Sequence, residues 1–600
     1  MIHSYRDKRS ILHARVGLIR RSHLIKTARN GPSNAGAAIA AGALALCGLG
    51  SGSAMAASLH QTAQQACDAL AKAKVPAERI GLRTRGAVVT SATFVKPTAV
   101  LPEHCLVKGE ITSVDANAEP IRFAAAFPTR WNRKLMQLGG GGWDGFVPDV
   151  TGEVLPGFRF STGPGQPVPL ARGYVVLGDN SGHSDAAFGG VSSVSGKPEA
   201  DFMAWALNEE MLRNFAADHI KKTHDAVAAL VSMRYGEAVE RSYFQGSSRG
   251  GAEAMLAVQR FPADYDGVYA LYPAFNWVPL FLKFHEIGRS MRINGGAGWI
   301  SPAKAQLLHD AAIATCDSLD GARDGLISNV RACRFDPGSL RCPDGADRGD
   351  NCLSDAQLAT TRLLYSRTLW DISFANGVRS AAAYLPGTAF ATSVNSAFGS
   401  SPEYSHDFAR LGGIHAMGDR FIRGVILRDL NANTLSFDSK KPGRYGARIR
   451  QASALLDATN PDVSAFLARG GKFILVHGLA DPLPAATATA EYYKAMVRKF
   501  GQAKLNKSVR FYTIPGYAHG GGPFDVTFGG PAAFRDNPNA AIGGIPILDA
   551  LENWVENGVA PGHLVASTAT RTRPLCIYPT WPKYKGAGSL DKAASFECAN

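Results

Sequence analysis

Ser242-Tyr243-Phe244-Gln245-Gly246-Ser247-Ser248-Arg249-Gly250-Gly251, continued by Ala252-Glu253-Ala254-Met255-Leu256-Ala257-Val258-Gln259-Arg260-Phe261, decides how this chain folds. The opening SYFQ reads as a strand and the closing AEAMLAVQRF as a helix, with glycine and serine between them. Gly246-Ser247-Ser248-Arg249-Gly250 fits G-x-S-x-G, the single match in the chain. The glycines allow a sharp strand-to-helix turn that presses its neighbours close and lifts the central serine out of the backbone. A bare match to this pattern is weak. Strand before and helix after supply the context it requires.

Outward from this turn the same grammar repeats. RKLMQLGGGGWDG (133–145), GYVVLGDNSGH (173–183), KFILVHGLADP (472–482) and SVRFYTIPGYAHG (508–520) are short apolar runs that end in Gly-rich or polar turns. A helical stretch, TATAEYYKAMVRKF, follows the third of these. Strands alternating with helices predict a doubly wound α/β sheet, whose functional residues gather at the carboxyl ends of its strands. Residues 275–455 break the alternation with four cysteines, Asp-Gly and Pro turns and scattered aromatics. This stretch is expected to be an inserted lid, with 57–274 and 456–600 forming the sheet domain.

A serine hydroxyl needs a base to take its proton, and the base needs a carboxylate to orient it. Asp481 follows KFILVHGLA and His519 follows VRFYTIPG, so Ser248, Asp481 and His519 lie at strand ends in the order used by α/β-hydrolases. Either residue alone would read as a turn aspartate or an ordinary histidine. Acyl transfer also needs two N–H donors for the oxyanion. The Arg249 amide and the glycine loop 139–142 are the candidates.

The N-terminus reads as an export signal. Eight Lys/Arg against one Asp lie in residues 1–56, and AAIAAGALALCGLG leads to Ala54-Met55-Ala56, an A-x-A cleavage pattern. The apolar run is too short and too rich in Ala and Gly for an anchor, and Leu46 is too bulky for a lipoprotein site at Cys47. No other segment reads as a membrane span. Half of the chain's +14 formal charge lies in this leader. The rest shows no basic cluster interleaved with aromatics, which argues against nucleic acid. At 46% hydrophobic and 19% charged, the chain is of ordinary globular composition.

Beyond Cys47, eight cysteines remain, an even number that in an exported chain argues for disulfides. Counting does not fix connectivity. Proximity suggests Cys67–Cys105, Cys316–Cys333, Cys342–Cys352 and Cys576–Cys598. Asp317, Asp320 and Asp324 cluster between Cys316 and Cys333. By spacing alone this is as readily a solvated turn as a cation site, because it is not an EF-hand.

YFQGSSRGG followed by QRFPADYDG resembles the serine segment of the tannase and feruloyl esterase family. The resemblance continues through GGGGWDG, CDSLDGARDGLI, HGLADP, PGYAHGGG and RTRPLCIYP…YKGAG, over nearly the whole mature chain. It implies an α/β-hydrolase fold with a large lid, and a secreted or periplasmic serine esterase acting on small aromatic esters of feruloyl, chlorogenate, galloyl or terephthalate type. It places the second oxyanion donor at Gly142. It also implies a structural calcium ion held by Asp317, Asp320 and Asp324, with the Ala322 and Leu326 carbonyls. The competing readings are an esterase for aliphatic or lactone substrates and a non-catalytic binding protein of the same fold. The complete Ser/Asp/His set argues against the latter. Two departures stand out. Ser247 and Gly520 occupy positions where family members carry a disulfide pair beside the serine and histidine. Arg249 stands where an acidic or small residue is usual, and is expected to put a positive charge at the mouth of the site.

Overall fold

The computed structural model describes residues 62–152, 167–184, 199–391, 397–519, 544–567 and 570–600. The expected signal segment 1–56 and Gly520 lie outside these ranges. Among the described residues, a single large sheet is built from β1 Lys74–Val75, β2 Ala87–Val95, β3 His104–Ile111, β4 Ile121–Pro128, β5 Lys134–Leu138, β6 Val175–Asp179, β7 Arg241–Ser247, β8 Gly267–Leu271, β9 Lys472–Gly478 and β10 Val509–Ile514. Their spatial order is β1-β2-β3-β4-β6-β5-β7-β8-β9-β10. The first four are an antiparallel meander, and β6 runs antiparallel to β4. From β6 onward every neighbour is parallel.

The parallel half reads as it does because both of its faces are covered. Tyr243, Tyr269, Ile474, Val476 and Tyr512 point into one core, shared with Leu548, Leu551 and Trp554 of helix α9 (Ile547–Asn557). Phe244, Val268, Ala270, Phe473 and Leu475 point the other way. There they meet Met255 and Leu256 of α2 (Arg249–Arg260) and Tyr492 and Met496 of α8 (Ala486–Phe500). Each fully buried side chain of this size contributes about 1.5–3 kcal/mol. Strands β3 to β6 bury Val107, Phe123, Leu135 and Leu177 against Ala226, Val227 and Leu230 of α1 (His219–Tyr235).

The stretch between β8 and β9 is helical, a feature the sequence pattern does not reveal. It holds α3 Trp277–Arg292, α4 Pro302–Cys316, α5 Asp355–Tyr365, α6 Phe408–Phe421 and α7 Gly446–Leu456. The reason is visible in α3, where fourteen of sixteen residues are buried, Lys283, His285, Glu286 and Arg292 included. A helix with polar groups on its buried sides carries no apolar stripe to read. Lys283 shows how such a group is accommodated. Its ammonium donates to the carbonyls of Ser366 at 3.0 Å and Ala382 at 2.6 Å, and burial brings its pKa down to about 7. The four disulfides are the pairs that proximity suggested: Cys67–Cys105, Cys316–Cys333, Cys342–Cys352 and Cys576–Cys598.

Candidate active site

β7 delivers Ser248 to the turn, and α2 starts at the next residue. Ser248 sits at φ 55°, ψ −115°, a conformation costly for any residue with a side chain. It is held there from several sides. Its N–H donates to the Leu271 carbonyl at 3.0 Å, and its carbonyl accepts the N–H groups of Ala252 and Ala274. The flanking glycines are required by close approach. A Cβ on Gly246 would lie 2.0 Å from the Gly250 carbonyl oxygen, and one on Gly250 would lie 2.6 Å from that of Gly140.

The structure brings Ser248, Asp481 and His519 together from positions separated by 271 and 38 residues. His519 Nε2 is 2.8 Å from Ser248 Oγ, and its Nδ1 is 2.8 Å from Asp481 Oδ2. With Nδ1 protonated, the ring donates to the carboxylate and accepts from the hydroxyl. Burial alone would raise the Asp481 carboxyl, but the adjoining His519, then His477, hold it below its usual value. Asp481 Oδ1 accepts the Leu483 N–H at 2.8 Å, which fixes the carboxylate's orientation. The Tyr272 ring meets the His519 ring edge-on at 4.8 Å and packs 6.0 Å from that of Tyr517.

The two candidate oxyanion donors lie on segments in direct contact. The Arg249 amide opens α2, where an N–H has no carbonyl one turn behind it within the helix. Gly142 belongs to the loop after β5, which packs against Gly250 through Gly139 and Gly140. The Gly140 N–H donates to Glu253 Oε2 at 3.0 Å, and His183 Nε2 lies 2.9 Å from the Trp143 carbonyl. Burial brings His183 down to about 3, so the neutral ring is the donor.

The expectation for the Arg249 side chain is corrected. It is 0% exposed and lies beneath the turn, not at its mouth. The first turn of α2 directs it inward, over the rings of Phe215 and Trp277 at 4.2 and 5.0 Å. Its Nε is 3.3 Å from Glu253 Oε1 and 3.5 Å from Asp144 Oδ1. Its Nη2 donates to the carbonyls of Phe215 and, at 3.1 Å, Ala216. Glu253 also faces His219 Nε2 at 3.5 Å, and His219 Nδ1 is 2.8 Å from Asp179 Oδ1. Burial would favour a neutral His219, but the Asp179 and Glu253 carboxylates outweigh it and push the ring up to about 10. Burial would likewise raise Glu253, yet His219 and Arg249 bring it down to about 2. Asp144 goes the other way, well above the usual carboxylate range, through burial and the neighbouring Glu253 charge. Asp179, His219 and Glu253 escape a sequence reading because nothing in their spacing joins them. Asp144 lies within GGGGWDG, the motif that points to the Gly142 loop, but nothing in it singles out the aspartate.

The acidic turn after α4 is held by its own backbone. Asp317 Oδ1 accepts the N–H groups of Asp324, Gly325 and Leu326 at 3.1–3.2 Å. Asp320 accepts those of Ala322 at 2.9 Å and Ser328 at 3.3 Å. Asp324 accepts the Leu326 N–H at 3.2 Å and pairs with the Arg573 guanidinium. Burial, followed among other causes by the negative charge of its neighbours, raises Asp320 and Asp324. The Asp317, Asp320 and Asp324 carboxylates are hard oxygen donors of the kind calcium takes, though Asp317 Oδ1 is already taken up by three N–H groups. Among the described residues two groups of metal-ligating side chains come within reach of one ion, neither of them this turn, and both are otherwise engaged. Cys576 and Cys598 beside His563 are disulfide-bonded, and the Lys221 ammonium already bridges Asp225 and Asp264.

A sheet whose parallel half has β5 and β6 exchanged in order, a strained serine between strand and helix, and Asp and His just after β9 and β10 define an α/β-hydrolase. The chain belongs to the tannase and feruloyl esterase family, whose sequence pattern matches residues 105–599. It is 36% identical to an uncharacterised esterase of Agrobacterium fabrum, over 90% of this chain and 94% of that one. It is 30% identical to the mono(2-hydroxyethyl) terephthalate hydrolase of Piscinibacter sakaiensis, over 85% and 87%. Among solved structures, feruloyl esterase B from Aspergillus oryzae superposes with a TM-score of 0.68 at 23% identity, covering 89% of this chain and all of that one. Tannin acyl hydrolase from Aspergillus niger gives 0.61 at 20% identity, covering 90% and 96%. At these identities the structural likeness speaks for the fold. The chain is a carboxylic ester hydrolase of the tannase and feruloyl esterase type.

Proposed function

We propose that the chain is an exported serine esterase that cleaves small esters of aromatic acids through an acyl-enzyme. The observation that carries the reading is Ser248, at φ 55° with its Oγ 2.8 Å from His519 Nε2. His519 takes the hydroxyl proton as Oγ attacks the ester carbonyl carbon. The oxyanion is met by the N–H groups of Gly142 and Arg249, and His519 then protonates the leaving alcohol. Water repeats the sequence to free the acid. Asp481 keeps Nδ1–H pointed at itself and stabilises the imidazolium.

The aromatic acyl group rests on the relatives, named as feruloyl esterases and a mono(2-hydroxyethyl) terephthalate hydrolase. Export rests on the basic leader with its Ala54-Met55-Ala56 site, and on four disulfides. Among the described residues no helix is long and apolar enough to cross a membrane. Asp317, Asp320 and Asp324, with the Ala322 and Leu326 carbonyls, hold a structural calcium ion that neutralises the turn. It has no part in the chemistry.

The test is hydrolysis of methyl ferulate, methyl gallate, chlorogenate, mono(2-hydroxyethyl) terephthalate and p-nitrophenyl acetate by the wild type and by Ser248→Ala. Turnover of at least one aromatic ester above p-nitrophenyl acetate, lost in Ser248→Ala, is the expected result. A preference for short aliphatic esters across the panel would overturn the substrate class.

A further inference from the structure

We propose that the Arg249 side chain is a positioning residue that locks both oxyanion donors into one rigid frame. The inference rests on the reading above, in which Ser248 is the nucleophile and the Gly142 and Arg249 amides receive the oxyanion.

In Gly139-Gly140-Gly141-Gly142-Trp143-Asp144-Gly145, only Trp143 and Asp144 have side chains by which the protein can grip the loop. Trp143 is held by the insertion, stacked on Phe281 at 5.1 Å and edge-on to Trp277 at 5.3 Å. Asp144 packs against the serine turn, 3.5 Å from Arg249 Nε. Gly142 lies immediately before this gripped pair. The same guanidinium reaches Glu253 at 3.3 Å, and the second oxygen of Glu253 accepts the Gly140 N–H at 3.0 Å. Arg249 therefore ties the loop carrying one donor to the helix start carrying the other, which is its own amide. Through Glu253 and His219 the frame extends to Asp179 at the end of β6.

Stability alone is a poor account of such a cluster. A buried ion pair often contributes no more than well-packed apolar residues of the same volume would. What it adds is fixed geometry. Oxyanion donors depend on that geometry, because they act by being in place before charge develops. A mostly glycine loop could not supply it unaided.

The test compares an ester with its thionoester, in which sulfur replaces the carbonyl oxygen and hydrogen-bonds weakly to the same donors. Arg249→Met removes the clamp, and Asp144→Ala removes the loop's end of it. With p-nitrophenyl acetate, Arg249→Met should lower kcat by about 10²-fold, the size of losing one oxyanion donor, with KM changed less than about threefold. The thionoester should lose less, so that the ester-to-thionoester ratio of kcat/KM narrows by about tenfold in both variants. A general packing defect would lower both substrates equally. An unchanged ratio overturns the proposal, however far activity falls. Should Arg249→Met fail to fold, Asp144→Ala decides by the same ratio. Wild-type activity in Ser248→Ala would instead remove the underlying reading, and this inference with it. An inactive Ser248→Ala with an unchanged ratio removes the inference alone.

Discussion

Two clusters of buried charge in this molecule are balanced in opposite ways. Beneath Ser248, burial and the Glu253 charge hold Asp144 well above the usual carboxylate range, so the cations Arg249 and His219 face two carboxylates, Asp179 and Glu253, and the set neutralises itself. In the turn after α4, Asp317, Asp320 and Asp324 stand together, with the Arg573 guanidinium paired to Asp324 and Arg571 also acting on that carboxylate. The first cluster is closed and needs nothing from outside. The second carries surplus negative charge that an external cation would match. The closed cluster should therefore respond to mutation and pH, and the open one to ions. Catalysis should follow the first and be indifferent to the second.

The sharpest division comes from chemistry beside the closed cluster. Ser248→Ala should cost a factor on the order of 10⁶ in kcat while leaving the melting temperature unchanged. A variant retaining a tenth of wild-type turnover would break the assignment. Asp481→Asn should cost about 10⁴ in kcat, because the amide favours the wrong tautomer of His519. A loss below tenfold would mean that another group orients the ring. Glu253→Leu leaves Arg249 and His219 without their shared partner, and should destabilise the fold by about 3–5 kcal/mol in urea unfolding. A cost under about 1 kcal/mol would show that the cluster is not closed as described.

The open cluster predicts smaller, ion-dependent effects. Removing calcium with a chelator should lower stability by about 2.7 kcal/mol relative to a calcium level of 100 Kd, with kcat at 25 °C unchanged. Dialysed protein that holds no calcium and melts identically with and without chelator would erase the contrast. The remaining effect is in pH. Glu253, brought down to about 2, contributes stability that is present above about 4.5 and lost as pH falls toward 2. His219, pushed up to about 10, contributes stability fully present below about 6.5 and lost as pH rises through 10. Lys283, brought down to about 7, has the opposite slope over part of that range, so the comparison must be with a variant. Between pH 6.5 and 10, wild-type stability should fall relative to His219→Gln. Parallel profiles would show that His219 stays neutral.

How much of this was legible follows from how local each signal is. The parallel half announced itself because β7, β9 and β10 are buried on both faces and so read as apolar runs. Ser248, Asp481 and His519 could be named because each ends such a run. The antiparallel meander went unread: β2, with exposed positions along AVVTSATFV, is neither a continuous apolar run nor a clean alternation. Arg249 was misplaced for a related reason. Sequence shows that a charge neighbours the serine, but its direction is fixed by the first turn of α2 and by partners 105 residues upstream at Asp144 and four residues downstream at Glu253. Arg573 could not be linked to Asp324, 249 residues away, without the fold.

β8 and β9 lie side by side in the sheet, yet roughly 200 residues separate Leu271 from Lys472. In polymer terms this is cheap. Loop-closure entropy grows only as the logarithm of length, so extending a connection from about 20 to about 200 residues costs roughly 2 kcal/mol. The sheet therefore places almost no ceiling on what is threaded between these strands, provided that the ends return to the same register. Asp481 lies just beyond one of those ends, and the Trp143 ring rests on α3 near the other. The catalytic frame can keep its shape while the material spanning it is exchanged wholesale. Such a seam is where a recombination event, natural or engineered, can give an esterase a new preference without rebuilding its machinery.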